Sequence, residues 1–168
     1  MKDFKDLSIF YVKVLFFGEK GMKLRYLSEE FFKKYKDYPE LMKKDNRPYV
    51  ILIVKTETMK FAIPFRTSMN RAKKYCYITD KKKNSGLDFE KSIPVLSDKW
   101  LNDTDYPIIN SYEFNYIKFD EAKIIYQFSI FLKAFRKYIG RRKENPKLPE
   151  NKDFQFCTLK YFVKELGL

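Results

Sequence analysis

Apolar residues along this chain gather in a few dense runs, and the spacing within each run predicts its element. Tyr49–Thr56 and Met59–Phe65 are rich in β-branched and aromatic residues, which predicts two neighbouring strands with Glu57-Thr58 at the turn between them. Lys73–Thr79 alternates Tyr75, Tyr77 and Thr79 against Cys76 and Ile78, the period of a strand exposed on one face. Lys81–Gly86 reads as a basic loop. Phe89–Leu96 reads as a further strand that Pro94 pushes towards an edge or a bulge. Ser28 is suited to cap a helix, because Glu29 and Glu30 follow in the first turn, where carboxylates favour the helix dipole. Phe31, Phe32 and Tyr35 give that helix a short apolar face before Pro39 ends it. After a polar stretch containing Pro107, Asp120-Glu121 opens the longest helix, which runs to about Tyr138. Ile124, Ile125, Phe128, Phe131, Leu132 and Phe135 recur along it at helical spacing. Asn145–Pro149 is a loop, and Phe156–Leu166 is a last short helix stopped at Gly167. The sum is an α+β fold: a compact, mostly antiparallel sheet with helices packed against one face.

No repeat, low-complexity segment or linker divides this pattern, and 168 residues suit one domain with a real core. The exception is residues 1–21. Leu7–Phe17 is apolar but interrupted by Lys13, too short and broken for a membrane span. Lys2 and Lys5 ahead of it imitate a signal peptide, yet Gly18-Glu19-Lys20-Gly21 supplies no small-residue cleavage pattern. The segment reads as an extra strand or as a translated leader, since Gly-Glu-Lys-Gly is what an in-frame purine-rich ribosome-binding site would encode. On that hypothesis Met22 is the true start and residues 22–168 form the single domain. A native protein whose measured mass begins at Met1 would refute it.

Charge narrows the function classes. The composition is 45 % hydrophobic and 18 % aromatic, so the chain is no disordered tail despite 34 % charged residues. Lys plus Arg number 35 against 22 Asp plus Glu, a net charge of +13, which favours polyanionic partners through steering and counterion release. An AT-rich genome also inflates Lys, Asn, Tyr, Phe and Ile, so charge alone does not identify the partner. Cys76 and Cys157 are isolated, with no metal-ligand spacing, and fit a reducing cytosol. The chain has no histidine. That excludes Ser–His and Cys–His nucleophilic catalysis, His-ligated zinc and a paired-histidine ribonuclease mechanism. No Asp/Glu cluster at metal-ligand spacing stands out, and no cofactor motif is present.

Candidate chemistry falls where the two central strands meet. Pairing Tyr49–Thr56 with Met59–Phe65 as a hairpin sets Arg47, before the first strand, beside Arg66-Thr67-Ser68, after the second. Guanidinium groups stay charged and present planar donors that fit a phosphate. Transesterification of RNA needs no nucleophile from the protein, because the ribose 2′-hydroxyl supplies it. It does need the phosphorane's extra negative charge stabilised, and losing one such donor typically costs about 2.7–4 kcal/mol. Arg47, Arg66 and one of Arg71 or Lys73 are able to supply those donors, while Thr67 or Ser68 holds a non-bridging oxygen or relays a proton. Arginine is a poor general base at neutral pH, so charge stabilisation dominates and turnover is modest.

The ordered set Leu27-x3-Phe31-x3-Tyr35, Pro39-Glu40, Arg47-Pro48-Tyr49, Ala62-Ile63-Pro64-Phe65-Arg66-Thr67-Ser68 and Gly86-Leu87-Asp88-Phe89-x-Lys91 resembles type III toxin–antitoxin toxins. These are the ToxN/AbiQ/TenpN group of endoribonucleases, with the TenpN branch nearest, and the resemblance spans about Met22–Ile139. It implies a barrel-type core like that of MazF/Kid toxins. It also implies metal-independent cleavage by 2′-hydroxyl attack, leaving a 2′,3′-cyclic phosphate and a 5′-hydroxyl. The implied partners are target RNA and an RNA antitoxin of pseudoknot repeats, held with the toxin in a cytoplasmic protein–RNA hetero-oligomer. By motif, Arg47 stands where the family has a basic residue before the first core strand, and Thr67 and Ser68 stand where it has its hydroxyl pair. The family's lysine after that pair is met here by Met69-Asn70-Arg71, so Asn70, Arg71 and Lys73 all remain candidates for its role. The candidate catalytic set is therefore Arg47, Arg66, Thr67, Ser68 and Asn70.

The candidate RNA-binding set lies in two basic runs and beside them: Arg71, Lys73, Lys74, Tyr75, Lys81, Lys82, Lys83, Lys91, Arg136, Arg141 and Arg142. Tyr75 and Tyr77 either stack on unpaired bases, worth about 1–3 kcal/mol each, or serve the sheet. Asp88 reads as a turn residue, and Lys91 points either at the phosphate site or into solvent. Thr67 and Ser68 also suit a plain turn after a strand, and Arg47 suits a surface ion pair. Two rivals from other classes stand beside the nuclease reading. One is a non-catalytic RNA- or DNA-binding module using the same basic face. The other is a metal-dependent nuclease built on Asp88, Glu90 and Glu113.

Overall fold

The sheet is organised around β3 (Met59–Arg66), whose Phe61–Phe65 stretch is buried throughout. On one edge it pairs antiparallel with β2 (Tyr49–Val54), from Tyr49 opposite Pro64 to Val54 opposite Met59. Its other edge is shared. Phe61 and Ala62 lie opposite the short β6 (Ile93–Pro94), and Phe65 and Arg66 lie opposite Leu87 and Gly86 of β5 (Ser85–Asp88). Pro64, with no N–H to give, falls at the step where β3 passes from one neighbour to the other. β1 (Lys23–Arg25) extends the sheet beyond β2, and β4 (Cys76–Asp80) beyond β5, giving the antiparallel order β1-β2-β3-β5-β4. The computed structural model describes residues 22–41, 49–54, 59–69, 73–105 and 107–168. The leader segment 1–21, the turn at Glu57-Thr58, and Arg47, Asn70 and Arg71 lie outside these residues.

The fold is thus α+β with an antiparallel sheet, as the pattern predicts. The barrel is a different matter: among the described residues β1 and β4 are the two ends of the strand path, and the sheet is not closed.

Helix α3 (Glu121–Glu144) supplies much of the core. Ile124, Phe128, Phe131, Leu132 and Phe135 are buried along one face, and Phe128 meets Phe61 and Phe89 at 5.2 and 5.4 Å between ring centres. Burying each large apolar side chain contributes about 1.5–3 kcal/mol. The helix continues well past Tyr138 and runs through Gly140, despite glycine's low helix propensity, to Glu144. Helix α1 (Glu29–Lys34) begins where expected, with the Ser28 side chain accepting from the Phe31 N–H. It ends at Lys34 rather than at Pro39, since Tyr35 leaves the helical region and packs edge-on against Trp100. The C-terminal segment is a 3-10 turn over Thr158–Phe162 instead of an α-helix. Gly167, at φ 68°, closes the chain end as Leu168 N–H donates to the Val163 carbonyl.

Two further expectations need correction. Phe89–Leu96 is not a continuous strand: Phe89–Lys91 forms a 3-10 turn, closed by the Ser92 hydroxyl on the Phe89 carbonyl, and only Ile93–Pro94 pairs. The polar stretch around Pro107 leads into an unforeseen helix, α2 (Ser111–Phe119), capped by the Asn110 side chain accepting from the Tyr112 N–H.

Candidate functional site

The corner at the end of β3 depends on Gly86. It lies opposite Arg66 on β5, and a Cβ there would stand 2.0 Å from the Tyr77 carbonyl oxygen, with φ at +156°. Only glycine lets β3, β5 and β4 close up at this point. Arg66 then reaches along β5 to Asp88, its Nη1 donating to Oδ2 at 2.6 Å. Asp88 is completely buried, so it is no turn residue, and it accepts from Lys73 Nζ at 2.8 Å on both oxygens. Lys73 also donates to Glu90 Oε2 at 3.0 Å. The result is an alternating row, Arg66–Asp88–Lys73–Glu90, in which each buried charge has an opposite neighbour, as burial demands.

This row has no net charge. Burial pushes the Glu90 carboxyl above its ordinary range, and Lys73 pulls against that shift. Burial, reinforced by Asp88, also raises the Cys76 thiol, whose Sγ contacts the Lys73 carbonyl at 3.6 Å; it is protonated at neutral pH. Lys73 is therefore spent on carboxylates rather than offered to RNA. Arg66 is not fully engaged: its side chain is 26 % exposed, and among the described residues its Nε is buried without a hydrogen-bond partner.

Thr67 and Ser68 follow directly and are exposed. Ser68 adopts φ 55°, a left-handed conformation that costs an L-residue about 1–2 kcal/mol. It is held there from behind. Met69 is buried, its N–H donates to the Asn84 carbonyl at 2.8 Å, and the Asn84 side-chain amide donates back to the Met69 carbonyl. The hydroxyl pair thus projects between a paired arginine and an anchored methionine, and strain of this kind concentrates at functional sites. The expected antiparallel pairing is present, with the start of β2 beside the end of β3, since Tyr49 lies opposite Pro64.

The candidate RNA-binding residues separate into distinct groups. Lys81, Lys82 and Lys83 are exposed on the β4–β5 turn. Asp80 Oδ1 accepts the Lys82 and Lys83 N–H groups at 2.8 and 3.1 Å, and these bonds, led by Lys83, lower its carboxyl. Arg141 is exposed on the last turn of α3, Arg136 is half-buried, and Arg142 donates to the Leu148 carbonyl at 3.3 Å.

Other candidates are engaged within the fold. Lys74 pairs with Asp153 at 3.0 Å and covers the Tyr75 ring. That ring is stacked on Phe154 and lies 5.2 Å from Phe131, so Tyr75 serves the core and not a base. Tyr77 is buried and donates to Asp120. Lys91 lies neither at the corner nor in solvent: it donates to the Glu40 and Phe156 carbonyls at 3.0 and 2.7 Å, and burial lowers its pKa.

Sequence reasoning missed Asp88 as the residue that orients Arg66. The available signal was a carboxylate lodged between core residues Leu87 and Phe89. It offered Glu113 only as a metal ligand and missed its part in the fold. On α2 this residue is buried, and its Oε1 accepts from the Thr79 and Ser85 hydroxyls, tying the helix to the β4–β5 hairpin. Asp88, Glu90 and Glu113 are thus separated, the first two around Lys73 and the third on hydroxyls. Among the described residues no three His, Cys, Asp or Glu side chains form a metal-ligand group. Among the same residues no helix is long and apolar enough to cross a membrane. No family model, curated protein or solved structure matches this chain.

Proposed function

We propose that this chain is a metal-independent endoribonuclease, the toxin of a type III toxin–antitoxin system, acting in the cytoplasm and neutralised by a repeated RNA. The observation that carries the reading is the corner Arg66-Thr67-Ser68. Two exposed hydroxyls, one in a left-handed conformation, stand directly after an arginine whose guanidinium is oriented by a buried carboxylate. In the mechanism, Arg66 and Arg47, two positions ahead of β2 in the sequence, stabilise the phosphorane charge. Thr67 or Ser68 holds a non-bridging oxygen while the ribose 2′-hydroxyl displaces the 5′-oxygen. Asn70 or Arg71 takes the place of the family lysine, Lys73 being committed to Asp88 and Glu90. A barrel-type core and an assembly with pseudoknot repeats belong to the same reading, on the strength of the ordered motifs.

The test is cleavage of a 5′-labelled RNA in EDTA, followed by identification of the product end. A 2′,3′-cyclic phosphate is expected, with Ser68→Ala reducing the rate about 100-fold or more. In cells, growth arrest on expression is relieved by repeat RNA encoded upstream of the reading frame. Loss of cleavage on chelation overturns the mechanism in favour of a carboxylate metal site. A second reading, a non-catalytic RNA-binding module, is favoured by the exposed Lys81–Lys83 turn, which offers positive charge where the Arg66–Asp88–Lys73–Glu90 row is neutral. Steeply salt-dependent binding without any cleavage would establish it.

A further inference from the structure

Helix α2 carries a stripe that its own packing does not use. Glu113, Phe114 and Ile117 are buried, whereas Tyr112, Tyr116 and Phe119, at i, i+4 and i+7, are 64 %, 42 % and 89 % exposed. Tyr112 and Tyr116 lie 6.0 Å apart between ring centres. Of these rings only Tyr116 reaches the core, through Tyr77, while Tyr112 and Phe119 stand mostly in solvent, and an aromatic row exposed on one short helix marks a contact surface.

The position of the stripe suggests its occupant. Glu113 binds Thr79 and Ser85, the residues flanking the turn that presents Lys81, Lys82 and Lys83. Asn84 of that turn holds Met69, and so sets Ser68 beside it. Tyr116 meets Tyr77 of β4, which ends the strand path, at 6.5 Å. Hydroxyl corner, basic turn and aromatic stripe thus follow one another around a single hairpin. Beyond Phe119, Lys123 lies over the Tyr77 ring at 5.7 Å but pairs with Asp120 at 3.4 Å, so the positive charge beside the stripe comes from the Lys81–Lys83 turn. Aromatic rings next to ammonium groups suit unpaired bases next to phosphates.

We infer that Tyr112, Tyr116 and Phe119 form a stacking platform for an unpaired RNA segment whose phosphates run over the Lys81–Lys83 turn towards Ser68. The inference rests on the RNA reading of the same corner and assigns it a single-stranded substrate, because duplex bases are already stacked on one another.

The experiment measures binding of a fluorescent 2′-O-methyl oligouridine of about 12 nucleotides, within the span that one compact site covers. This probe has no attacking hydroxyl, so binding is read apart from cleavage. Tyr112→Ala/Tyr116→Ala/Phe119→Ala is expected to weaken binding about 100-fold, each stacked ring contributing about fivefold or more. The salt slope should remain as in the parent protein, because stacking releases no counterions. Phe119→Ala alone, which removes a ring lying almost wholly in solvent, gives a fivefold loss without threatening the fold. A triple variant that keeps its helix content and binds the probe like the parent overturns the platform. So does a parent dimer that the triple variant dissolves with probe binding unchanged, since the stripe is then a protein interface. If the parent binds the probe through the stripe but never cleaves RNA, the nuclease reading falls and the platform stands. If the parent cleaves RNA and the stripe variants bind and cleave as it does, the platform falls and the nuclease reading stands.

Discussion

Asp88 decides how much positive charge the sheet corner offers. It draws Arg66 and Lys73 onto one carboxylate with no exposure of its own, and Glu90 neutralises what remains of Lys73. In Asp88→Asn the two cations keep their positions but lose their counter-charge, and Lys73 is left buried beside Glu90 alone. Removing one partner of a buried pair typically costs about 3–5 kcal/mol, so the urea midpoint should fall by that equivalent with the slope unchanged. An unchanged midpoint would mean that the row is decorative. In the sequence this residue resembles a turn former, because Gly-Leu-Asp-Phe is also how a turn is written. What distinguishes the two cases is the partner, and Arg66 and Lys73 are remote in the chain. Tyr75 is ambiguous for the same reason, since a ring that stacks on Phe154 and one that stacks on a base share the same local pattern.

At the scale of elements, legibility follows the strength of the period. The β2–β3 pair and α3 have long apolar runs, and their existence and pairing are readable. Helix α2 is hidden because only Phe114 and Ile117 mark its inner face, while its other rings face solvent. The pattern Asn110-x-x-Glu113 is that of a capping box, but Glu113 turns its Oε1 to the sheet hydroxyls. Helix α3 outruns its expected end through Gly140, a residue whose Cβ would meet nothing within 4 Å. Gly140→Ala should therefore stabilise the protein by about 1 kcal/mol, through helix propensity and a less flexible unfolded chain. Calorimetry should show a rise of about 2–4 °C in Tm. A fall would mean that the last turns of α3 are not helical in solution, and the basic end carrying Arg141 would then be presented differently.

Across the whole molecule, the charge that attracts a polyanion also works against the fold. At neutral pH, 35 cationic side chains are offset by only 22 carboxylates, and acid removes that offset. The pKa shifts give the sign. Asp80 is lowered chiefly by the Lys83 N–H, and Asp120 chiefly by the Tyr77 hydroxyl. At Glu40, burial raises the carboxyl but Lys160 outweighs it and lowers it. A carboxyl lowered in the folded state lends stability that is complete above its ordinary pKa of about 4 and vanishes as pH drops through its lowered value. Glu90, raised by burial, works in the opposite direction, but among the described residues three lowered carboxyls oppose it. Tm should therefore hold between about pH 6 and 8 and fall steeply below about pH 4. The repulsion behind part of that fall is long-ranged, and raising salt from about 0.1 M to 1 M shortens the screening length from about 10 to 3 Å. Added salt should thus raise Tm more at pH 3 than at pH 7, while over the same range it weakens oligonucleotide binding at pH 7. A Tm indifferent to salt at pH 3, with RNA binding equally indifferent at pH 7, would mean that the excess charge is spread too thinly over the surface to act on either the fold or a nucleic acid.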